Sequence, residues 1–401
     1  MALGKLRSLV SQHGGSSVSV KVAHLTSAHP RFDTRIFVKE CRSLVKAGYQ
    51  VSLVVADGLG DAHVDGVVVL DVGAPRGRLQ RMRHTTRMVR RKAVELDADI
   101  YHLHDPELMP TGLALRRLGK QVIFDAHEDL PKQLLTKPYL NAPARRLLSL
   151  VFGYYEARAC RQFNAVVGAT PFIRDKFLHI NPNTVDVNNY PVLGELSTAE
   201  NKWENKRKAV CYVGGLGSTR GIREIIRAIE LVDDDTQLLI GGKFGEADLE
   251  REVKQYPGWR HVVDRGWLDR KGVRKVLQQS MAGLVTLHPT QNYLDALPVK
   301  MFEYMSAGIP VIASAFPLWE SIIKKANCGI CVDPLDPKAI AEAIITLTTQ
   351  PNRAQIMGRN GQQAVRERYN WDIEEQKLLS LYSKIAAEAG LVQTKLAHVC
   401  H

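Results

Sequence analysis

Two acids, one arginine and a pair of histidines are the side chains whose types and spacing could act on a phosphate or a sugar. Asp295 and Glu303 lie eight positions apart, Arg220 follows a run of glycines, and His102 and His104 flank a leucine. Carboxylates repel phosphate, so two acids beside an anion site indicate sugar hydroxyl groups on either side of a diphosphate. An arginine binds phosphate, and an imidazole exchanges protons with a hydroxyl near neutral pH.

A strand, a loop and a helix must position the two acids. The apolar run 282–287 predicts a buried strand, and polar residues follow it. Pro298 predicts the first residue of a helix, since its missing N–H costs nothing there, and Gly308 predicts the end of that helix. Asp295 is therefore expected before a helix N-terminus, whose free N–H groups bind anions, and Glu303 inside the helix.

A glycine-rich loop, residues 212–221, follows another predicted strand and reads YVGGLGSTRG. Glycines there let the backbone approach a phosphate, and Arg220 can neutralise its charge. The loop also approximates the dinucleotide-binding fingerprint. However, the next strand ends in Gly241, Gly242 and Lys243, without the acid that binds the ribose of NAD. The pattern predicts a phosphate site and argues against NAD.

Histidines in the first half of the chain follow predicted strands. Side chains alternate along a strand, so His102 and His104 are expected on the same face. Two such histidines are often structural. A zinc site would need further ligands, and His127 is the one near candidate, so we predict no metal. Cys328 and Cys331 are predicted to pack in a core, because no second cysteine or histidine pair stands near them.

The net charge of +12 is unevenly placed. Residues 1–190 hold 27 Lys and Arg against 17 Asp and Glu, whereas the remaining residues hold 27 against 25. This asymmetry favours an acidic partner of the first half, such as anionic lipid, a phosphorylated acceptor or nucleic acid. Residues 76–96 predict a basic amphipathic helix that either docks on a membrane or covers a sheet with a solvated face. The predicted membrane-contact residues are Arg81, Arg83, Arg87, Arg90 and Arg91.

The alternation of strands and helices predicts an α/β protein of two domains. The first predicted domain spans residues 1–190 and the second residues 191–370. The polar tract 193–208, at the start of the second, is the predicted linker. Residues 371–401 begin with a helix that follows the second domain. We find no apolar run of about 20 residues that could form a transmembrane helix. The first residues lack the apolar length of a signal peptide, so we expect a cytoplasmic location.

Together these features resemble the retaining glycosyltransferases of family 4, which have the GT-B fold. This fold has two Rossmann-like, doubly wound parallel-sheet domains with an interdomain cleft. Asp295 and Glu303 match the two acids of the family's E-x7-E signature, with Asp in place of the first Glu, and SAGIPVIAS at 306–314 is also family-like. Gly215 stands where the family usually has an Arg, which Lys243 or Lys300 would replace.

The resemblance implies a role for each candidate residue. Glu303 would hold the ribose, Asp295 the donor sugar, and His104 would orient that sugar. The implied catalytic residues are His104, Asp295 and Arg220. The implied donor-binding residues are Gly214, Gly215, Gly217, Arg220, Lys243, His288, Asp295, Pro298, Val299, Lys300 and Glu303. The implied acceptor-binding residues are His29, Asp33, Arg35, Asp105, His127 and Glu128; the alternative for the first three is a capped helix start with surface charges.

The resemblance also implies an activity. One sugar would pass, with retention of configuration, from a nucleoside diphosphate sugar to a hydroxyl of an oligosaccharide or lipid-linked acceptor in bacterial surface polysaccharide synthesis. No cofactor or metal is implied, and the enzyme would dock on the inner face of the cytoplasmic membrane. Two alternatives stay open: a nucleotide-sugar epimerase on the same fold, and a non-enzymatic nucleic-acid-binding protein. The second lacks aromatic residues clustered beside the basic helix.

Overall fold

A computed structural model of the chain describes residues 19–135, 141–196 and 203–391. The start of the predicted first strand, the middle of the predicted linker and most of the C-terminal tail lie outside these ranges. Within them, two parallel sheets are built from successive parts of the chain, and helices cover both faces of each. The predicted α/β fold with two Rossmann-like domains is confirmed.

The first sheet has eight strands in the order β3-β4-β2-β1-β5-β6-β7-β8. Its strands are β1 (Lys21–Leu25), β2 (Gln50–Val55), β3 (Ala62–Val64), β4 (Val67–Asp71), β5 (Ile100–Leu103), β6 (Gln121–Ala126), β7 (Ala165–Gly168) and β8 (Thr184–Asp186). All neighbours pair in parallel except β3 and β4, an antiparallel edge that the sequence pattern did not predict.

The second sheet has six parallel strands in the order β11-β10-β9-β12-β13-β14. Its strands are β9 (Ala209–Val213), β10 (Gln237–Gly241), β11 (Val262–Asp264), β12 (Ala282–Val285), β13 (Val311–Ser314) and β14 (Gly329–Val332). The chain leaves β9 in both directions across the sheet, so a crevice forms at the carboxyl ends of β9 and β12, where ligands of such sheets bind.

Helices occupy most of the connections. They are α1 (Arg42–Lys46), α2 (Arg78–Gln80), α3 (Thr86–Leu96), α4 (Met109–Arg117), α5 (Leu130–Leu135), α6 (Ala142–Cys160), α7 (Pro171–Leu178), α8 (Ile222–Glu230), α9 (Ala247–Val253), α10 (Arg270–Gln279), α11 (Gln291–Leu294), α12 (Val299–Ser306), α13 (Pro317–Ala326), α14 (Pro337–Thr349), α15 (Pro351–Glu367) and α16 (Trp371–Glu388). Shorter turns are the π-helical Thr34–Cys41 and Arg81–Thr85 and the 3-10 Pro106–Leu108, Trp203–Asn205, Ser218–Arg220 and Pro257–His261.

The last helix, α16, returns from the second sheet to the first. The indole nitrogen of Trp371 donates to Oγ of Ser43 at 3.0 Å, and the hydroxyl of Tyr382 lies 2.8 Å from Nδ1 of His102. Leu378, Leu381 and Ile385 join the same apolar cluster as strands β1 and β2. The C-terminal helix is therefore part of the core of the first sheet.

Candidate active site

A cavity of about 720 Å³ opens at the carboxyl ends of β9, β10 and β12. The glycine-rich loop forms one wall, and the start of α12 forms the opposite one. Glu128, which follows β6 of the first sheet, also lines this cavity, so the cavity lies between the two domains. Lining it are the predicted donor residues Gly214, Gly215, Arg220, Lys243, Pro298, Val299, Lys300 and Glu303.

The glycine-rich loop needs its glycines because backbone atoms come very close. Gly214 has a φ of +126°, a conformation that other residues rarely adopt. A Cβ on Gly242 would lie 1.9 Å from the carbonyl oxygen of Gly214, and one on Gly221 would lie 2.1 Å from that of Thr286. Gly217 precedes the 3-10 turn that carries Arg220. The two strand ends thus present backbone, without side chains, to the cavity.

Two cations, Arg220 and Lys300, lie beside the glycines of the loop. A Cβ on Gly215 would lie 3.6 Å from Cζ of Arg220, so the Arg220 guanidinium fills the space above that glycine. The Lys300 Nζ would lie 3.2 Å from a Cβ on Gly214 and is 3.7 Å from the ring centroid of Tyr212.

The Lys300 side chain is unusual in its burial. It is 9 % exposed, and its Nζ has no hydrogen-bond partner among the described residues. Burial and then repulsion from Arg220 hold the pKa of Lys300 well below its usual value. A buried, unpartnered ammonium is costly, and a bound anion would offset that cost.

The start of α12 agrees with the prediction made from Pro298 and Gly308. Pro298 is the N-cap residue, no side chain caps the first turn, and Gly308 ends the helix with a φ of +74°. The N–H groups of this turn therefore lack a side-chain acceptor, and a bound anion could accept their hydrogen bonds. Asp295 ends α11 just before this turn, and its Oδ2 lies 3.7 Å from Nζ of Lys132 in the first domain.

Glu303 lies on the next turns of α12 and is held by an arginine. Nη1 of Arg270 donates to Oε1 of Glu303 at 2.7 Å, and its Nε and Nη2 donate to the two oxygens of Glu195 at 2.6 and 2.8 Å. Burial opposes a charge on Arg270, but the two carboxylates outweigh it and raise its pKa. One oxygen of Glu303 is therefore fixed, which orients the other for a ligand.

Sequence reasoning missed three residues of this cavity that have polar or aromatic side chains. Arg270 begins α10, Tyr293 belongs to α11, and Trp267 lies in the turn before α10 with 67 % of its surface exposed. An exposed tryptophan at a cavity edge can stack on a nucleobase. Trp267 follows the end of β11 in a segment without a recognisable motif. The only signal in the sequence was the residue type, a tryptophan shortly after a strand. His288, by contrast, pairs through Nε2 with Glu224 at 3.0 Å and does not line this cavity.

Across the cleft, His127 and Glu128 follow β6 and face the donor side. His127 is partly exposed, and its Nε2 lies 3.0 Å from Oδ2 of Asp125. His104 lies beneath it: the side chain of His104 is fully enclosed, with Nδ1 3.3 Å from the same carboxylate oxygen. Burial lowers the pKa of His104 to about 4. His127 is thus the more exposed of the two imidazoles, and His104 lines the bottom of a cavity in the first domain, so its contact with the donor sugar stays a prediction.

Arg35 is likewise below the cleft surface. It is 4 % exposed, and its guanidinium donates to both oxygens of Asp125 at 2.8 Å and to the carbonyl oxygen of Val187 at 2.6 Å. A guanidinium with these partners orients Asp125. Arg35 also lines a smaller cavity of the cleft, of about 360 Å³, together with His127 and Asp295, and its contact with an acceptor stays a prediction.

The loop after β1 is ordered by its own polar groups. Asp33 caps the following π-helical segment, accepting from the backbone N–H of Arg35 at 2.8 Å, as predicted. Asp105 is buried and accepts from the backbone N–H of Ser27 at 2.6 Å. Burial opposes a charge on His29, but Asp33 and Asp105 outweigh it and raise the pKa of His29. The His29 side chain is partly exposed, and its ring centroid lies 5.0 Å from that of His127.

Two family models match the chain that forms this cleft. A model described as "Glycosyl transferases group 1" matches residues 195–364, and one described as "Glycosyltransferase Family 4" matches residues 35–188. The chain is a family 4 glycosyltransferase. Its fold is therefore GT-B, as predicted, and the non-enzymatic alternative is set aside.

Relatives and solved structures match this glycosyltransferase over most of their own length. A phosphatidyl-myo-inositol mannosyltransferase of Mycobacterium leprae is 23 % identical over 79 % of this chain and 81 % of its own. D-rhamnosyltransferase WbpZ of Pseudomonas aeruginosa is 23 % identical over 69 % and 71 %. Sucrose-phosphate synthase from Thermosynechococcus elongatus superposes with a TM-score of 0.74 at 18 % identity, covering 92 % of this chain and all of the other.

A complex of Anabaena Alr3699/HepE with UDP-glucose superposes with a TM-score of 0.70 at 14 % identity, over 91 % of this chain and 99 % of that one. At this level of identity, the likeness concerns the fold alone.

A second cavity of this glycosyltransferase, of about 760 Å³, lies within the first domain and also reaches Glu128. Its polar end holds His29, Asp105 and His127. Its apolar part is lined by Met82, Leu130, Leu134, Leu148, Val151 and Phe152. Leu147, Leu150 and Tyr154 on the outer face of α6 are 63, 73 and 72 % exposed. Glu128 thus borders both this apolar cavity and the donor cavity.

The basic segment of the glycosyltransferase, residues 78–96, contributes Arg78, Arg81 and Met82 to the apolar cavity. Arg81 pairs with Glu107 at 3.0 Å and Arg91 with Glu95 at 3.0 Å, so these two predicted membrane contacts have acidic partners inside the protein. Arg83, Arg87 and Arg90 are exposed and form no ion pair with the described residues. In the described ranges, no helix is long and apolar enough to cross a bilayer.

Proposed function

We propose that this glycosyltransferase moves one sugar from a nucleoside diphosphate sugar to a hydroxyl of an oligosaccharide or lipid-linked acceptor, with retention of configuration, in bacterial surface polysaccharide synthesis. The observation that carries the donor assignment is the joint presence, in one cavity, of the buried Lys300 ammonium and the arginine-held Glu303. A cation without a partner suits a diphosphate, and an oriented carboxylate suits the hydroxyls of a ribose.

The positions of the residues on the donor side of the cleft support a role for each; Asp295 lines an adjoining cavity that also holds Arg220. Lys300, Arg220 and the uncapped first turn of α12 would hold the diphosphate, and Lys243 at the rim would add charge. Glu303 would accept from the ribose hydroxyls, and Trp267 would stack on the base. Asp295, 46 % exposed where the domains meet, would accept from hydroxyls of the donor sugar.

The apolar cavity favours a lipid-linked acceptor over a free sugar. It shares Glu128 with the donor cavity, and Leu148, Val151 and Phe152 of α6 line its apolar part. An acceptor with a polar head and an apolar chain would match both parts. The name of the Mycobacterium leprae relative, a phosphatidyl-myo-inositol mannosyltransferase, points to the same class of acceptor.

The reaction would proceed on one face of the sugar. The bond between the anomeric carbon and the diphosphate oxygen breaks, and the acceptor oxygen forms its bond to the same carbon from the same side. The leaving phosphate takes the acceptor proton. Lys300, Arg220 and the start of α12 would stabilise the charge that builds on the diphosphate. His127, oriented by Asp125, would hold a sugar hydroxyl, and no metal takes part in this scheme.

Docking on an anionic membrane would bring the enzyme to such an acceptor. Arg83, Arg87 and Arg90 would contact lipid headgroups, each adding on the order of 1 kcal/mol. The exposed Leu147, Leu150 and Tyr154 would enter the interface on the same side of the first domain. We therefore propose a location at the inner face of the cytoplasmic membrane.

An acceptor-dependence assay tests the proposal. The full chain is incubated with nucleoside diphosphate sugars and a short polyprenyl-diphosphate-linked sugar in anionic vesicles, and the product is identified by mass spectrometry and NMR. We expect one added sugar with the donor's anomeric configuration, lost in Asp295→Ala and kept in Asp248→Ala, an exposed control. Inverted product would contradict the retaining mechanism. Conversion of donor without acceptor would support the epimerase alternative.

A further inference from the structure

Three histidines and one glutamate converge inside the core of the first domain. His24 on β1 faces His102 on β5 in register, His104 follows two positions later, and Glu40 reaches them from the π-helical segment. All four side chains are buried, none more than 2 % exposed. The proposed transfer mechanism uses none of them directly.

The ligand-capable atoms of these residues surround one point. Oε2 of Glu40 lies 3.9 Å from Nδ1 of His24, 4.0 Å from Nδ1 of His102 and 3.9 Å from Nε2 of His104. Nδ1 of His24 lies 2.8 Å from Nε2 of His104. A tetrahedral zinc ion with bonds of about 2.0–2.2 Å separates its ligands by about 3.3–3.5 Å. The observed separations bracket that value.

Glu40 is the observation that points to a ligand. Neither of its oxygens accepts a hydrogen bond from the described residues. Oε1 lies 3.1 Å from Nε of Arg35, whereas Oε2 faces the three imidazoles without a donor at bonding distance. A buried carboxylate oxygen left in this state is costly, and a cation bonded to it would remove the cost.

The surrounding groups match the outer shell of a metal site. Nδ1 of His104 lies 3.3 Å from Oδ2 of Asp125, and Nε2 of His24 lies 3.3 Å from the hydroxyl of Tyr382. Histidines bound to metal typically give their second nitrogen to such partners. Around the point, Glu40 and Asp125 bring two negative charges and Arg35 one positive charge, so these groups would offset half of the charge of a divalent ion.

We propose that His24, Glu40, His102 and His104 bind one structural Zn²⁺ ion in the core of the first domain. Three imidazoles and one carboxylate fill a tetrahedral shell, and a fully buried set without an open position indicates a structural rather than a catalytic site. Binding would replace two hydrogen bonds, the one between His24 and His104 and the one between Nδ1 of His102 and the Tyr382 hydroxyl. The hydroxyl could then pair with Nε2 of His24, from which it lies 3.3 Å. This revises the sequence-based expectation of no metal, which considered His127 and overlooked His24 and Glu40.

The metal site would affect both the packing of α16 and the geometry of the cleft. Its ligands come from β1, β5 and the π-helical segment, and Tyr382 of α16 lies beside two of them. The ion would fasten the returning helix to the first sheet. Through His104 and Asp125 it would also set the orientation of His127.

Metal content of the purified full chain, with any histidine tag removed, tests the inference. The protein is loaded with Zn²⁺, passed over a desalting column and measured by mass spectrometry of the elements. We expect about one equivalent per chain in the wild type and in His261→Gln, a control at another buried histidine, and about none in Glu40→Gln. Full content in Glu40→Gln, or less than about a tenth of an equivalent in the wild type, would overturn the proposal.

Co²⁺ substitution keeps the test decisive if Glu40→Gln does not fold. A tetrahedral site predicts the intense visible bands of four-coordinate Co²⁺ in the wild type, and removal by a chelator should lower its melting temperature reversibly. Only the weak bands of six-coordinate Co²⁺ would indicate an adventitious surface ion and overturn the proposal. Nucleotide binding, measured on the same samples, reports on the second domain and separates this outcome from a failure of the proposed function.

Discussion

Arg270 and Glu303 form an ion pair across 2.7 Å at the edge of the donor cavity, and the same guanidinium binds Glu195 in the connection between the two sheets. One side chain thus joins α10, α12 and the interdomain connection. The carboxylate that we assign to the ribose is therefore held in place before any ligand arrives.

Removal of Arg270 should weaken donor binding although Arg270 itself need not touch the ribose. Loss of a charge-assisted hydrogen bond costs about 1.5–3 kcal/mol, and since Arg270 is 40 % exposed we expect the lower end, about tenfold in Kd. Calorimetric titration of Arg270→Ala with the preferred nucleoside diphosphate measures this. Lys271→Ala, an exposed neighbour, should bind normally. Equal Kd values for both variants would show that the ion pair does not orient Glu303.

Lys300→Met should lose donor affinity and gain stability. The ammonium is buried without a partner, so its replacement by an apolar chain removes a desolvation cost of about 1–3 kcal/mol. We expect a melting temperature a few degrees higher, together with a Kd raised at least about tenfold. Lys325→Met, at an exposed position, should change neither. A lower melting temperature of Lys300→Met would contradict the claim that burial of the Lys300 side chain destabilises the folded protein.

The stability gain of Lys300→Met should depend on pH. Because the pKa of Lys300 is lowered in the folded protein, the unfolded chain binds more protons between that value and about 10.4. The wild type therefore gains stability as pH rises through this window, and the gap to Lys300→Met should be widest at low pH. Denaturant unfolding of both proteins at several pH values tests the sign.

Trp267 should contribute to nucleotide affinity by stacking. Base–aromatic stacking contributes about 1–3 kcal/mol per base, so Trp267→Ala should raise Kd by about tenfold or more, and Trp267→Phe should restore most of the affinity. Titration followed by tryptophan fluorescence should show quenching in the wild type that is smaller in either variant. Normal affinity of Trp267→Ala would place the base elsewhere.

The basic face of the first domain should bind anionic vesicles. Replacing Arg83, Arg87 and Arg90 by Ala together removes about 3 kcal/mol of electrostatic attraction, and co-sedimentation should fall accordingly, while nucleotide binding stays unchanged. A control with the same change in charge replaces the exposed Arg353, Arg359 and Arg366 of the second domain. If both triple variants lose binding equally, net charge rather than this face is responsible.

Local rules predicted the parts of the site that lie close together in the chain. Pro298 and Gly308 bound α12 to within a residue, and Asp33 caps the segment after β1, because caps and stops act over one helical turn. The alternation of His102 and His104 correctly placed both on one face of β5. The glycines before Arg220 predicted a backbone that can approach a phosphate; the structure shows Gly214 packed closely against Gly242, and the phosphate contact stays a prediction.

Other parts depend on contacts between distant segments, which spacing does not encode. The contacts of His104 could not be predicted, because β1 brings His24 against it and β6 brings His127 above it. The pairing of Arg35 with Asp125 likewise joins two segments 90 positions apart. The pairing of Arg270 with Glu303 spans 33 positions, and that of Tyr382 with His102 spans 280.

The proposed donor site is tested most directly by nucleotide binding to the wild type, to Glu303→Ala and to Glu342→Ala. Glu342 is an exposed residue on α14 and serves as the control. Thermal unfolding is recorded with UDP, GDP, CDP and dTDP and their common sugars, because a ligand at about 100 times its Kd stabilises by about 2.7 kcal/mol. We predict that one base stabilises the wild type and Glu342→Ala and has little effect on Glu303→Ala. Equal stabilisation of Glu303→Ala, or no response from the wild type to any nucleotide, would contradict the donor site described above.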